Sequence, residues 1–84
     1  MQYDNVHIRW TWANWESRNA WVWVWDPFNH YGNTLNKWFR LRQDNFDTIQ
    51  NMLVVAAMTR VNESAVSVVT DNDSNIVAVI APIG

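Results

Sequence analysis

The chain contains no cysteine, so no disulfide can staple it and no thiolate can ligate a metal. Its two histidines, His7 and His30, stand too far apart to read as a structural zinc pattern. Two glycines are too few for a phosphate-cradling loop, and no G-x-S-x-G nucleophile turn is present. Neither sign of charge dominates. Six basic and eight acidic side chains leave a net charge of −2, which weighs against a partner bound by its phosphates. The longest apolar run, Met52 to Met58, falls far short of the roughly 20 residues of a membrane span. The first ten residues, MQYDNVHIRW, lack a basic region followed by an apolar one, so no signal peptide is expected. Absence of cysteine fits both the cytoplasm and secretion, and the compartment stays open.

What the chain has is tryptophan: seven in 84 residues. Three fall in Ala20 to Asp26, AWVWVWD. In an extended chain Trp21, Trp23 and Trp25 share one side and Ala20, Val22 and Val24 the other. No helix segregates them so, and the stretch reads as a strand. Val6 to Ala13 also alternates, with Val6, Ile8, Trp10 and Trp12 on one face. Asn14 to Asn19 reads as the connection between the two, with Trp15 near its tip. Asp26-Pro27 ends the second strand, because proline cannot donate to a ladder. An aromatic, Asn-rich loop (Phe28 to Asn36) leads to a third strand over Lys37 to Arg42.

Asp44 is the expected N-cap of a helix from about Asn45 to Thr59, whose core stripe is Phe46, Ile49, Leu53 and Ala57. Two strands follow, Ala65 to Thr70 and Asn75 to Ala81, around the turn Asp71 to Ser74. The acidic turn lacks the distal Glu of a calcium loop and reads as a solvated hairpin. No metal and no cofactor are expected.

Residues 1–84 therefore make a single domain, mainly β with one helix, in the order β-β-β-α-β-β. That is the element order of a small OB-like barrel. An open antiparallel sheet with one packed helix fits the same string. The expected interior holds Val6, Ile8, Trp10, Trp12, Val22, Val24, Phe39, Leu41, Val66 and Val68.

Apolar faces remain after that core is filled. They carry Trp21, Met52, Val55, Met58, Val77 and Val79, the expected oligomer interface. Each Trp leaving water removes roughly 200 Å2, and exposed apolar patches beyond a few hundred Å2 mark association. Homo-oligomerisation is the expected outcome.

The stretch from Trp38 to Ala81 resembles the second half of the OB-fold B subunits of bacterial AB-type toxins. The matching positions are Phe39 and Leu41, then Phe46, Ile49, Leu53, Ala56 and Ala57, then Val66 and Val68. The resemblance implies a ring-shaped, usually pentameric, glycan-binding and secreted subunit with helices lining the centre.

No catalytic constellation stands out, and the chain reads as non-catalytic. His30, near Asp26 and Tyr31, is a weak base candidate, since the Asp lies across a proline. Binding is better supported. Indole faces stack on sugar rings while Asn, Asp and Arg bond the hydroxyls. Trp15, Trp23, Trp25 and Tyr31 are the candidate platform, with Asn14, Asn29, His30 and Asn33 as polar partners, Asn29 and His30 foremost. A purely structural subunit, with its tryptophans at subunit contacts, is the alternative. The third possibility is a single-strand nucleic-acid binder with Arg9, Arg18, Arg40 and Arg42 along the backbone.

Overall fold

The structure, a computed structural model, describes residues 1–14 and 16–81. The elements are β1 (Gln2–Asn14), β2 (Asn19–Trp25), β3 (Lys37–Arg40), α1 (Phe46–Val61), β4 (Val66–Thr70) and β5 (Ile76–Ile80). All five strands pair antiparallel in one sheet of order β3-β2-β1-β4-β5. The sheet is not closed. Its ends touch at one point, where Leu41 bridges Ile76 in parallel and the Arg42 N–H donates to the Ile76 carbonyl at 2.9 Å. The Gln43 amide also donates to the Val77 carbonyl, covering part of the β5 edge.

β1 is long because two partners share it. Its first half pairs with β4 and its second half with β2. Each half carries an irregularity. Between Tyr3 and Val6 the register slips, and Asn5 takes a left-handed conformation at φ 57°, which asparagine tolerates better than most residues. Between Ile8 and Trp10 it slips again. Ile8 pairs with Val24 and Trp10 with Trp23, so Arg9 is an extra residue. A bulge of one residue reverses which side chains face in.

That reversal overturns one expectation. Trp10 and Trp12 are 42% and 48% exposed on the outer face, not in the core. Thr11 and Ala13 take the inward parity, opposite Val22 and Ala20. The other expected interior residues are buried as expected, joined by Tyr3, Ala20, Leu35 and Ile76.

The helix differs in phase. Asn45, not Asp44, is the N-cap, its side chain accepting the Asp47 N–H at 2.8 Å. Ile49, Met52, Ala56 and Thr59 form the buried stripe, while Phe46 and Leu53 flank it half-buried. The Thr59 hydroxyl donates back to the Val55 and Ala56 carbonyls, each at 3.0 Å, which lets a polar side chain face the core. Met52, expected at an oligomer interface, is 6% exposed in the chain's own core. β5, apolar at every position from Ile76, reads from the sequence as a strand covered on both faces, and it is not. Only Ile76 is fully buried, because β5 is an edge strand.

Candidate functional site

Six of the seven tryptophans lie on the outer face of β1, β2 and β3. Alternation along β2 puts Trp21, Trp23 and Trp25 there, since Ala20, Val22 and Val24 are buried behind them. The Arg9 bulge brings Trp10 and Trp12 to the same side, and Trp38 joins from β3. The register arranges them in rows: His7 and Trp25; Trp10, Trp23 and Trp38; Trp12, Trp21 and Arg40. In the middle row the rings meet edge to face. Trp10 and Trp23 have centroids 5.2 Å apart, and Trp23 and Trp38 5.9 Å. Such pairs contribute about 0.5–1.5 kcal/mol each beyond buried area, so the face is a fixed surface.

Arg9 is held within it. Its guanidinium carbon lies 5.1 Å from the Trp10 ring and 5.0 Å from the Trp25 ring. Stacking between two indoles immobilises the group while leaving its N–H donors at the ring edges.

Beside this pair lies a cleft of about 330 Å3, lined by Arg9, Trp10, Trp23, Trp25, Asp26, Pro27, Asn29 and Asn36. The loop after β2 builds its polar wall. The Asp26 N–H donates to Asn36 Oδ1 at 2.8 Å, and Asn36 Nδ2 donates to the Asp26 carbonyl and to Asn29 Oδ1, each at 3.2 Å. Asn29 and Asn36 have φ of 50° and 65°, the left-handed conformation that tight loops need. Buried Leu35 anchors the loop in the core. Asp26 is 1% exposed; its Oδ2 accepts the Tyr31 N–H at 3.0 Å, and its Oδ1 has no hydrogen-bond partner among the described residues.

The structure therefore brings together Trp23, Trp25 and Asn29 of the expected site. Trp15 lies outside the described residues. His30 stands exposed on the loop, its ring 5.9 Å from Phe28. Tyr31, expected in the platform, is not among the residues lining the cleft. Its ring meets Tyr3 edge-on at 4.9 Å, and its hydroxyl accepts the Asp4 N–H and donates to the Asp4 carbonyl. Arg9, foreseen only as a backbone contact of a nucleic-acid binder, and Trp10 and Asn36 were not expected at this cleft. The bulge concealed the first two, and the loop's tertiary winding places the third.

Two further features adjoin the cleft. A wider groove of about 700 Å3 runs from β1 to the end of α1, lined by His7, Ile8, Arg9, Trp10, Trp25, Arg60, Val61 and Glu63. Trp12, Trp21 and Trp38 line a shallow depression of about 280 Å3 made of indoles alone. Of the other expected interface residues, Met58 is exposed, while Val55, Val77 and Val79 are half-buried. Among the described residues no group of three His, Asp or Glu is placed to hold a metal, and no helix is long and apolar enough to cross a membrane.

The chain matches no family model, no curated protein and no solved structure in the comparisons made.

Proposed function

We propose that this chain is a non-catalytic carbohydrate-binding module that assembles with copies of itself. The cleft of indoles and amides is the observation that carries the reading. A pyranose has one face of C–H groups and a rim of hydroxyls. Trp25 and Trp10 offer apolar ring surface, while Asn29 and Arg9 offer donors in fixed positions, Asn29 being held there by the Asn36 amide. The loop and the stacked guanidinium hold these groups in advance, so binding costs little ordering entropy.

Titration with a panel of mono- and oligosaccharides, followed by tryptophan fluorescence, tests this. Trp25→Ala is expected to weaken binding roughly tenfold, since it removes both a ring lining the cleft and one side of the stack that holds Arg9. The far-UV spectrum should stay unchanged, because Trp25 lies opposite the core. Binding that survives Trp25→Ala and Asn29→Ala intact overturns the assignment.

The fold component of the proposal is an incompletely closed OB-like barrel. It is supported by the strand order and by the isolated Leu41–Ile76 bridge between the ends of the open sheet. A second reading, a structural assembly subunit, is favoured by the depression of Trp12, Trp21 and Trp38, which offers indoles and no polar lining residue. Trp38→Ala separates the two. It should change native mass if those rings form a subunit contact and leave sugar binding intact.

A further inference from the structure

We propose that the groove between the β1 bulge and the end of α1 is an oxyanion subsite, so that the sugar stacked at the indole cleft carries a carboxylate or a sulfate. The proposal rests on the carbohydrate reading above and narrows its ligand class.

Arg9 lines both the cleft and the groove, and its stacked guanidinium forms the boundary between them. A ligand on the indoles is therefore adjacent to the groove. Arg60 reaches the same place from the last turn of α1. Its Nε donates to the Arg9 carbonyl at 2.8 Å, which fixes the side chain along β1. Its two terminal nitrogens carry no hydrogen bond and no ion pair with any described residue. Arg9 likewise has no carboxylate within ion-pair distance among the described residues. Arg42 behaves differently: it lies 3.4 Å from Asp73 and 3.9 Å from Asp71. Two arginines thus line one concavity with no ion pair to a described carboxylate.

Against them stands one carboxylate, Glu63, leaving one positive charge in excess at the groove wall. The negative end of α1 also points this way, with three of its last four carbonyls occupied. Asn62 N–H donates to the Met58 carbonyl, Ser64 N–H to Thr59, and Glu63 N–H to Arg60. His7, beside Trp25 at 5.7 Å, adds a ring N–H on the same wall. Guanidinium groups held in place and lacking partners match the bidentate geometry of carboxylate and sulfate oxygens.

Four probes test this on the full chain, read by tryptophan fluorescence and by NMR shifts of the indole N–H groups. They are a glucuronate-terminated oligosaccharide, its glucose-terminated counterpart, sodium sulfate, and a single-stranded oligonucleotide. The acidic sugar is expected to bind roughly tenfold more tightly than the neutral one, as charge-assisted hydrogen bonds do. Arg60→Gln should remove that preference while neutral-sugar binding persists, with a modest fall in melting temperature from the lost hydrogen bond to the Arg9 carbonyl. Equal binding of both sugars overturns the oxyanion subsite and leaves the carbohydrate reading standing. Sulfate that shifts the Trp25 signal while neither sugar binds supports the subsite and removes the carbohydrate reading. Tighter binding of the oligonucleotide than of the acidic sugar overturns the proposal in favour of nucleic acid. Silence from all four probes overturns both.

Discussion

Asp4 shows how single side chains make an irregular strand tolerable. It sits in the first β1 irregularity, where the register with β4 slips. Its carboxylate accepts the Ser67 hydroxyl at 2.6 Å and the Gln2 amide at 2.8 Å. The Ser67 bond, then the Gln2 bond, hold its pKa below the ordinary value of 3.8. A carboxyl lowered on folding adds stability above its unfolded pKa, and that stability is lost as pH falls through the folded one. Stability should therefore drop as pH goes below about 3.8, and the drop should be shallower in Asp4→Asn. Urea melts of both proteins at a series of acidic pH values check this; parallel curves would remove Asp4 from the account. The backbone of the same residue depends on Tyr31, whose hydroxyl serves both its N–H and its carbonyl. Tyr31→Phe should cost about 1 kcal/mol in a denaturant melt and leave sugar binding unaltered. A loss of binding without a loss of stability would return Tyr31 to the site.

At the scale of elements, the tryptophan strand was plain in the sequence because strict alternation has one structural meaning. Trp21, Trp23 and Trp25 lie where AWVWVWD puts them, with the small residues behind. β1 was legible only as far as Ile8. Beyond it the alternation of apolar residues continues unbroken through Trp10 and Trp12, yet the extra residue at Arg9 reverses its meaning. Nothing local marks that position, since Arg9 is neither glycine nor proline. What decides it is volume: Val22 and Ala20 lie opposite, in a core that is already full. The helix phase was hidden for a related reason. α1 is apolar around much of its circumference, so no stripe stands out, and the buried Thr59 makes the true one look polar. Three variants belong here. Deleting Arg9 would drive Trp10 and Trp12 inward, and the chain should fail to fold. Arg9→Ala keeps the bulge and should lose only about 0.5–2 kcal/mol of stacking. A deletion variant that melts like the parent would show that β1 does not depend on the bulge. Met52→Ala should cost about 2–5 kcal/mol, as buried Met truncations do, measured by the same melts. An unchanged melt would place Met52 outside the core.

For the whole molecule, the question is how much apolar surface one copy leaves in water. The radius of gyration is 11.8 Å, the value a compact chain of this length has when folded alone. The accessible surface of 5499 Å2 lies close to the roughly 5,200 Å2 that the size relation for monomers gives. Size and area thus do not demand a partner; the distribution of the area does. Val54, Met58 and Val61 lie four and three residues apart, a stripe along the solvent side of α1, with Met58 59% exposed. Ile80 is exposed at the end of the edge strand, and Trp12 and Trp38 border the indole depression. The three side chains of the stripe are apolar and mostly in water, and offer no polar group to a sugar. Burying its three side chains would be worth about 1.5 kcal/mol or more apiece, comparable in sum to the stability of a small domain. Light scattering or native mass spectrometry should therefore give a multiple of 9.9 kDa. Met58→Glu should reduce it toward one copy, because a carboxylate in an apolar contact loses its hydration without a partner. The substitution is on the solvent side, so the folded spectrum of the single chain should persist. A parent protein of single-copy mass at micromolar concentration would mean that the stripe is tolerated in water, and self-assembly would have to be given up while the sugar cleft, on the opposite strands, stayed open to test.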